Sequence, residues 1–240
     1  MMAPLDRNRI LFVHPLGYRP EDAGHDISRI ANIMPPLGLA SIAAFLESKG
    51  VSADIIDCYA RPAQSEALIR EYLTTHSPAY IGFSCSTANF LDGHRLGLMA
   101  KSLVKDIKVV FGGAHVSALR ERVLREYQGA DFVVAGEGEQ TLLELIQSGG
   151  DSPERIKGLV YRDSGGEASY NGPREQLIDL DTLPLPAYEK LHGYPSAYEL
   201  PIFNYPTTPN TSCISSRGCP YQCSYCDRSV FGKSFRYNSA

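Results

Sequence analysis

Val109-Val-Phe111-Gly112-Gly113-Ala-His115, followed after Ser117 by a helical stretch to Tyr127 and then Gly129, is a short apolar run that ends in a glycine turn and passes into a helix. An all-apolar run bounded by turn residues has the composition of a strand buried on both faces. The same unit recurs on both sides. Ile10-Leu-Phe-Val13, Ala53-Asp-Ile-Ile56, Tyr80-Ile-Gly-Phe83 and Phe132-Val-Val-Ala135 are further such runs. Helical patterns follow them. Leu39, Ile42, Ala43 and Leu46 repeat at i, i+3, i+4, i+7 behind Pro35-Pro36, with Gly50 as the stop. Ser65 and Ser117 read as N-caps for helices over Glu66 to Thr74 and Ala118 to Tyr127. Five such units predict a doubly wound, flavodoxin/Rossmann-like α/β domain over residues 1–150, with a five-stranded parallel sheet in the order 2-1-3-4-5.

In such sheets ligands sit beyond the carboxyl ends of the strands. The loops there are Ser84-Cys-Ser86-Thr87, Gly112-Gly113-Ala-His115 and Gly136-Glu137-Gly138-Glu139. Small residues let a large flat ligand approach the backbone. Each loop taken singly reads equally well as a tight turn, or as acidic charge at a helix N-terminus. The first strand ends at His14-Pro15-Leu16-Gly17, ahead of a loop of about twenty residues, longer than an ordinary βα connection. Asp57, at the end of the second strand, suits a ligand edge or a turn. Cys58 and Cys85 follow buried runs and read as small hydrophobes.

Past Gly149-Gly150 the pattern changes. Ile156 to Tyr161, a turn at Asp163 to Gly166, and Ala168 to Tyr170 predict a hairpin. A proline-rich strap completes a linker over 151–210. Thr211 to Ser216 reads as the first strand of a new domain.

Three of the six cysteines then fall within Cys219-Pro-Tyr-Gln-Cys223-Ser-Tyr-Cys226. Thiolates are soft ligands, so this crowding points to one iron-sulfur cluster. A 4Fe-4S cubane held by three cysteines keeps one iron open. The other reading is a structural zinc site completed by Cys213 or His192, although paired C-x2-C knuckles are the usual spacing for that metal. Disulfides between neighbours this close are disfavoured.

Cys219-x3-Cys223-x-Tyr225-Cys226 resembles the signature of the radical S-adenosylmethionine (SAM) superfamily. The flanking Thr211-Ser-Cys-Ile-Ser-Ser-Arg-Gly-Cys and Phe231-Gly-Lys-Ser-Phe-Arg-Tyr resemble its branch with an N-terminal cobalamin-binding domain. Pro35-Pro36-Leu37-Gly38-Leu39 and Phe111-Gly-Gly-Ala-His115 resemble that domain. The resemblance implies cobalamin, a 4Fe-4S cluster and SAM as cofactors, and methyl transfer or an oxidative cyclisation of the anaerobic Mg-protoporphyrin monomethyl ester type. It implies cluster ligation by Cys219, Cys223 and Cys226, Tyr225 beside the SAM adenine, and cobalamin contacts from Ser84, Ser86, Thr87, Gly112, Gly113, His115, Gly136, Glu137 and Gly138. The branch further implies a partial (β/α) barrel starting at 211–240, a small-molecule substrate, and an electron donor such as flavodoxin or ferredoxin.

One departure stands in the first loop. Cobalamin domains that place a histidine on cobalt carry Asp-x-His-x-x-Gly, and Phe12 occupies the aspartate position ahead of His14. His14 is therefore expected to be a loop histidine hydrogen-bonded to backbone, with no protein histidine on the metal. The alternative function class is a corrinoid- or nucleotide-binding carrier or sensor, with the cysteines on a structural metal.

The chain has 240 residues, 43% hydrophobic and 21% charged, with net charge -4. That balance carries no electrostatic footprint for nucleic acid or an anionic membrane. No run approaches a membrane span or a signal-peptide core, which predicts a cytoplasmic protein with reduced thiols. Residues 211–240 are too few to close a barrel, so the chain is expected to be the N-terminal part of a longer enzyme, inactive by itself.

Overall fold

The computed structural model describes residues 4–17, 34–198 and 211–239. Its strands and helices run β1 (Asp6–His14), α1 (Leu37–Ser48), β2 (Ser52–Asp57), α2 (Ser65–His76), β3 (Pro78–Ser84), α3 (Phe90–Leu103), β4 (Lys108–Gly112), α4 (Ala114–Leu119), α5 (Glu121–Glu126), β5 (Phe132–Val134), α6 (Glu139–Gln147), β6 (Leu159–Arg162) and β7 (Ala168–Tyr170). β1 pairs in parallel with both β2 and β3, and β3, β4 and β5 continue in parallel, which is the predicted order 2-1-3-4-5.

The sheet does not end there. β6 pairs antiparallel with β5, and β7 antiparallel with β6, so the hairpin expected in the linker extends one seven-stranded sheet. β5, only three residues long, thereby gains a partner on its outer side, which removes an unpaired edge.

The two faces of the sheet are read directly by alternation. Ile10, Phe12, Tyr80, Val110 and Val134 point to a core with Leu39, Ala43 and Leu46 of α1 and Leu142, Leu145 and Ile146 of α6. Leu11, Val13, Ile81, Phe83, Val109 and Phe111 point the other way, onto Ile69 and Leu73 of α2, Leu96 and Met99 of α3, and Val116 and Val123 of α4 and α5. Burial of each large side chain contributes about 1.5–3 kcal/mol, which is why apolar runs at these positions specify the strands.

Two helix starts differ from the sequence reading. Ser65 is the first residue of α2 and its hydroxyl donates to the Pro62 carbonyl at 3.0 Å, so it does not cap. Ser117 lies inside α4, because the helix begins immediately after Gly113; its hydroxyl instead accepts from the Gly136 N–H at 3.1 Å. The single helix expected over 118–127 is two short ones, separated at Arg120, where φ is +49°.

The segment 211–216 also differs. Only Ser216–Arg217 (β8) pairs as a strand, antiparallel with Arg236–Tyr237 (β9) in a two-residue ladder. The cysteine loop is the connection between them.

Candidate functional site

The carboxyl ends of β3, β4 and β5 converge on a cavity of about 300 Å³. Its floor is Phe12, Gly82, Val110 and Val134, one wall is Gly38, Leu39 and Ile42 of α1, and its rim carries Ser84, Gly112, Gly113, Gly136, Glu137 and Gly138. Ile214, Arg217, Val230 and Phe231 close it from the cysteine-loop side. The lining is predominantly apolar, and the volume is at the small end of ligand pockets.

Gly113 shapes the rim. Its φ of +99° and ψ of -179° suit glycine alone, and a Cβ there would lie 2.5 Å from the Cys85 carbonyl oxygen. That closeness lets the loops after β3 and β4 join: Cys85 N–H donates to Gly112 O at 2.8 Å and His115 N–H to Cys85 O at 3.3 Å. Gly112 has the opposite surroundings. A Cβ there meets nothing nearer than the Phe83 and Val134 carbonyls at 4.0 Å, so the hydrogen keeps space open above the strand end. At Gly136 the nearest atom would be Val230 O, at 3.8 Å.

Six of the nine residues expected around the cobalamin line this cavity; Ser86, Thr87 and His115 do not. Ser86 N–H donates to Asn89 Oδ1 at 2.8 Å, closing the turn into α3. Thr87 Oγ1 and His115 Nδ1 are 3.1 Å apart, and the imidazole packs on Phe90 with centroids 4.7 Å apart. Burial lowers the His115 pKa.

Glu137 does more than line the rim. Its Oε2 accepts from Arg217 Nη1 at 3.2 Å and its Oε1 from Arg236 Nη2. Arg217 Nη2 also donates to Glu139 Oε1 at 2.6 Å and to Ser41 Oγ at 3.3 Å. Burial by itself would lower the Arg217 pKa, but the carboxylates of Glu139 and Glu137 outweigh it and raise it. Arg217, Arg236 and Ser41 were given no role in the sequence, and Glu139 was seen only as part of the loop after the fifth strand. Two arginines bracketing the cysteines were the available signal.

Cys219 is half-buried, and Cys223 and Cys226 are exposed, all three on the loop between β8 and β9. The loop is held internally by Cys226 N–H to Cys223 O at 3.2 Å and Arg228 Nη1 to Tyr221 O at 2.8 Å. It touches the rim where Ser229 Oγ donates to Ala114 O at 3.2 Å. Tyr225 is 90% exposed, so it does not support the loop. Among the described residues no three His, Cys, Asp or Glu side chains are grouped closely enough to hold a metal ion. Cys58 and Cys85 are buried in the sheet region, and burial pushes the Cys58 thiol up to about 12 and the Cys85 thiol upward too.

His14 corrects an expectation. Its Nδ1 lies 3.0 Å from Asp57 Oδ1, a side-chain partner in place of backbone, because β1 and β2 are in register at these two residues. Asp57 also accepts from Tyr59 N–H at 3.1 Å, the turn role. Asp57 borders a larger, open hollow of about 630 Å³ beside β2. Lys190 there pairs with Glu47 and Asp54, and no residue of the glycine loops lines this hollow.

A B12 binding domain family matches residues 26–146, just over half of the chain and the segment that builds the cavity rim. The chain belongs to the B12-binding domain family. An uncharacterized methyltransferase of Pyrococcus horikoshii is 32% identical over 210 residues, covering 85% of this chain and 43% of that protein. The anaerobic magnesium-protoporphyrin IX monomethyl ester cyclase of Rubrivivax gelatinosus is 30% identical over 233 residues, covering 95% of this chain and 40% of the cyclase. The chain thus spans about two fifths of the length of these relatives. Among solved structures, the cobalamin-dependent S-adenosylmethionine radical enzyme OxsB matches 96% of the chain with a TM-score of 0.74 at 20% identity, over 30% of its own length. The radical S-adenosylmethionine methyltransferase TsrM of Kitasatospora setae matches 97% with a TM-score of 0.66 at 18% identity, over 43% of its own length. At these identities the likeness concerns the fold, which extends past the B12-binding domain into the cysteine loop. Among the described residues no helix is long and apolar enough to cross a membrane.

Proposed function

We propose that this chain is the cobalamin- and cluster-binding part of a cobalamin-dependent radical SAM enzyme, acting on an unreactive carbon of a small-molecule substrate by methyl transfer or oxidative cyclisation. The observation that carries the reading is the glycine-rimmed cavity at the strand ends, closed by the same segment, 214–231, that bears the three cysteines. Residues 1–150, with the hairpin β6–β7 added to their sheet, form the cobalamin-binding unit, and 211–240 begin the radical SAM domain.

The residues fit the cofactors. A pocket of about 300 Å³ is too small for a corrin ring but suits the nucleotide tail. The missing Cβ atoms of Gly112 and Gly136 leave the strand ends open to it. Ser84 and the backbone of Gly112, Gly113 and Gly138 would flank that tail, while Ser86, Thr87 and His115 stand ready outside for the parts that do not enter. Cys219, Cys223 and Cys226 would hold the cluster, and Tyr225, free of packing, would stack on the SAM adenine. Bound there, the cofactors supply one-electron cleavage of SAM and a methyl carrier or radical partner. His14, engaged by Asp57, is not assigned to cobalt. A reduced flavodoxin or ferredoxin would be the electron donor, in the cytoplasm.

Anaerobic reconstitution with iron and sulfide, followed by hydroxocobalamin titration, tests the reading. The expected result is a brown chain with about four irons, lost in Cys219→Ala, Cys223→Ala and Cys226→Ala but kept in Cys58→Ala, Cys85→Ala and Cys213→Ala, together with base-off cobalamin. A colourless zinc-loaded chain, or iron retained in Cys223→Ala, overturns it.

A further inference from the structure

The cysteine loop stands on two feet, Arg217 and Arg236, which are register partners across β8 and β9. Both are almost fully buried, at 6% and 7% exposure. Both reach one carboxylate: Glu137 uses Oε2 for Arg217 and Oε1 for Arg236. Arg217 is further tied to Glu139 and Ser41, and Arg236 Nη1 donates to Leu177 O at 2.7 Å. The guanidinium of Arg217 also sits 5.7 Å from the Phe231 ring centroid, on the far side of the same loop.

Burying two arginines and two glutamates is a poor way to gain stability, since desolvation offsets most of the attraction and apolar side chains would hold as well. Guanidinium-carboxylate contacts do fix direction, because the fork constrains the angle of approach as well as the distance. Here the fixed direction is that of the cysteine loop relative to the rim of the cavity, to which Glu137 belongs. We infer that Glu137, Arg217 and Arg236 are positioning residues that staple both ends of the cysteine loop to the cavity rim and so set the separation and orientation of the two cofactor sites. The staple rests on the function proposed above for its purpose, though not for its existence. Cofactor chemistry is sensitive to such placement, since displacement of reacting groups by about 1 Å can cost about a hundredfold in rate.

Hydrogen exchange on the full chain without cofactors tests the staple, using Glu137→Gln, which keeps shape and removes charge, and Arg217→Lys, which keeps charge and removes the fork. In both, exchange across residues 218–235 should rise at least tenfold while β1, β3 and β4 stay protected; Glu137→Asp should restore part of the protection. With cluster and cobalamin loaded and reduced, the magnetic interaction between cob(II)alamin and cluster, read by electron paramagnetic resonance, should be single-valued in the native chain and dispersed in Glu137→Gln, with iron content changed less than twofold. Unchanged exchange in both variants overturns the staple. Raised exchange with an undisturbed interaction overturns its positioning role. A native chain that takes up neither cofactor refutes the proposed function, while the exchange arm still decides the staple.

Discussion

Gly112→Leu isolates the cavity from the fold. Gly112 closes β4, and the atoms nearest to a Cβ there are 4.0 Å away, so the new side chain has nowhere to go but the cavity. Four added carbons, each comparable to a water's share of ~30 Å³, take up roughly 120 Å³, against a cavity of about 300 Å³. A ligand that must share that space meets an overpacked site, which costs about 1–3 kcal/mol, equivalent to a roughly 5- to 150-fold weaker Kd. Stability should move the other way. Replacing a strand glycine removes about 0.5–1 kcal/mol of unfavourable backbone entropy, so the urea midpoint should hold or rise. The assay is a hydroxocobalamin titration by visible absorbance beside a urea melt. A Kd within twofold of the native value, with the urea midpoint retained, would show that nothing enters this cavity and would refute the reasoning.

Gly113→Ala should act on the fold instead, since its Cβ would collide with Cys85 O at 2.5 Å in a left-handed conformation; a loss of at least about 2 kcal/mol in urea unfolding is expected, and an unchanged midpoint would contradict it. Asp54 is held below the usual carboxylate range: burial acts to raise its pKa, but bonds from Tyr72 and Lys190 and the nearby Arg9 charge outweigh it. Because the folded pKa is the lower one, its stabilisation is present above the unfolded value and disappears as pH falls through the folded one. The acid limb of urea midpoint against pH should therefore be shallower in Asp54→Asn. Cys58 and Cys85, buried and with raised pKa, should resist iodoacetamide at pH 8 in the folded, cluster-free chain, while Cys213, Cys223 and Cys226 react; mass spectrometry of the alkylated peptides reads this.

The strands were legible because burial on both faces leaves little choice of residue: Ile10 to Val13 and Val109 to Phe111 feed both cores at once. The hairpin was visible as a hairpin, but its attachment to β5 was not, since the pairing of Val133 with Val160 leaves no local trace. Ser117 misled because a serine ahead of a helical pattern looks like a cap, whereas the backbone of Gly113 had already started the helix. Of the residues expected around the cobalamin, the glycines, Ser84 and Glu137 line the cavity, while Ser86, Thr87 and His115 lie outside its lining and have side-chain partners of their own. Glu137 was expected only as a cobalamin contact or a helix-start charge, and its ion pairs were not foreseen, because its two arginine partners are 80 and 99 residues away in sequence.

The hairpin has a consequence for where the chain goes next. Each added antiparallel strand reverses the direction of travel, so two of them return the chain, at Tyr170, to the side on which β1, β3, β4 and β5 end. Arg174 then ties down at the start of α6 through Thr141 Oγ1 at 3.0 Å and Glu144 Oε1 at 3.1 Å, and Gln176 reaches the Phe231 carbonyl. An odd number of added strands would have delivered this segment to the opposite end of the sheet, with the thickness of the domain between it and the cysteines. The even count makes the hairpin a routing device, one that brings the strap out beside the cavity mouth without a long crossing connection.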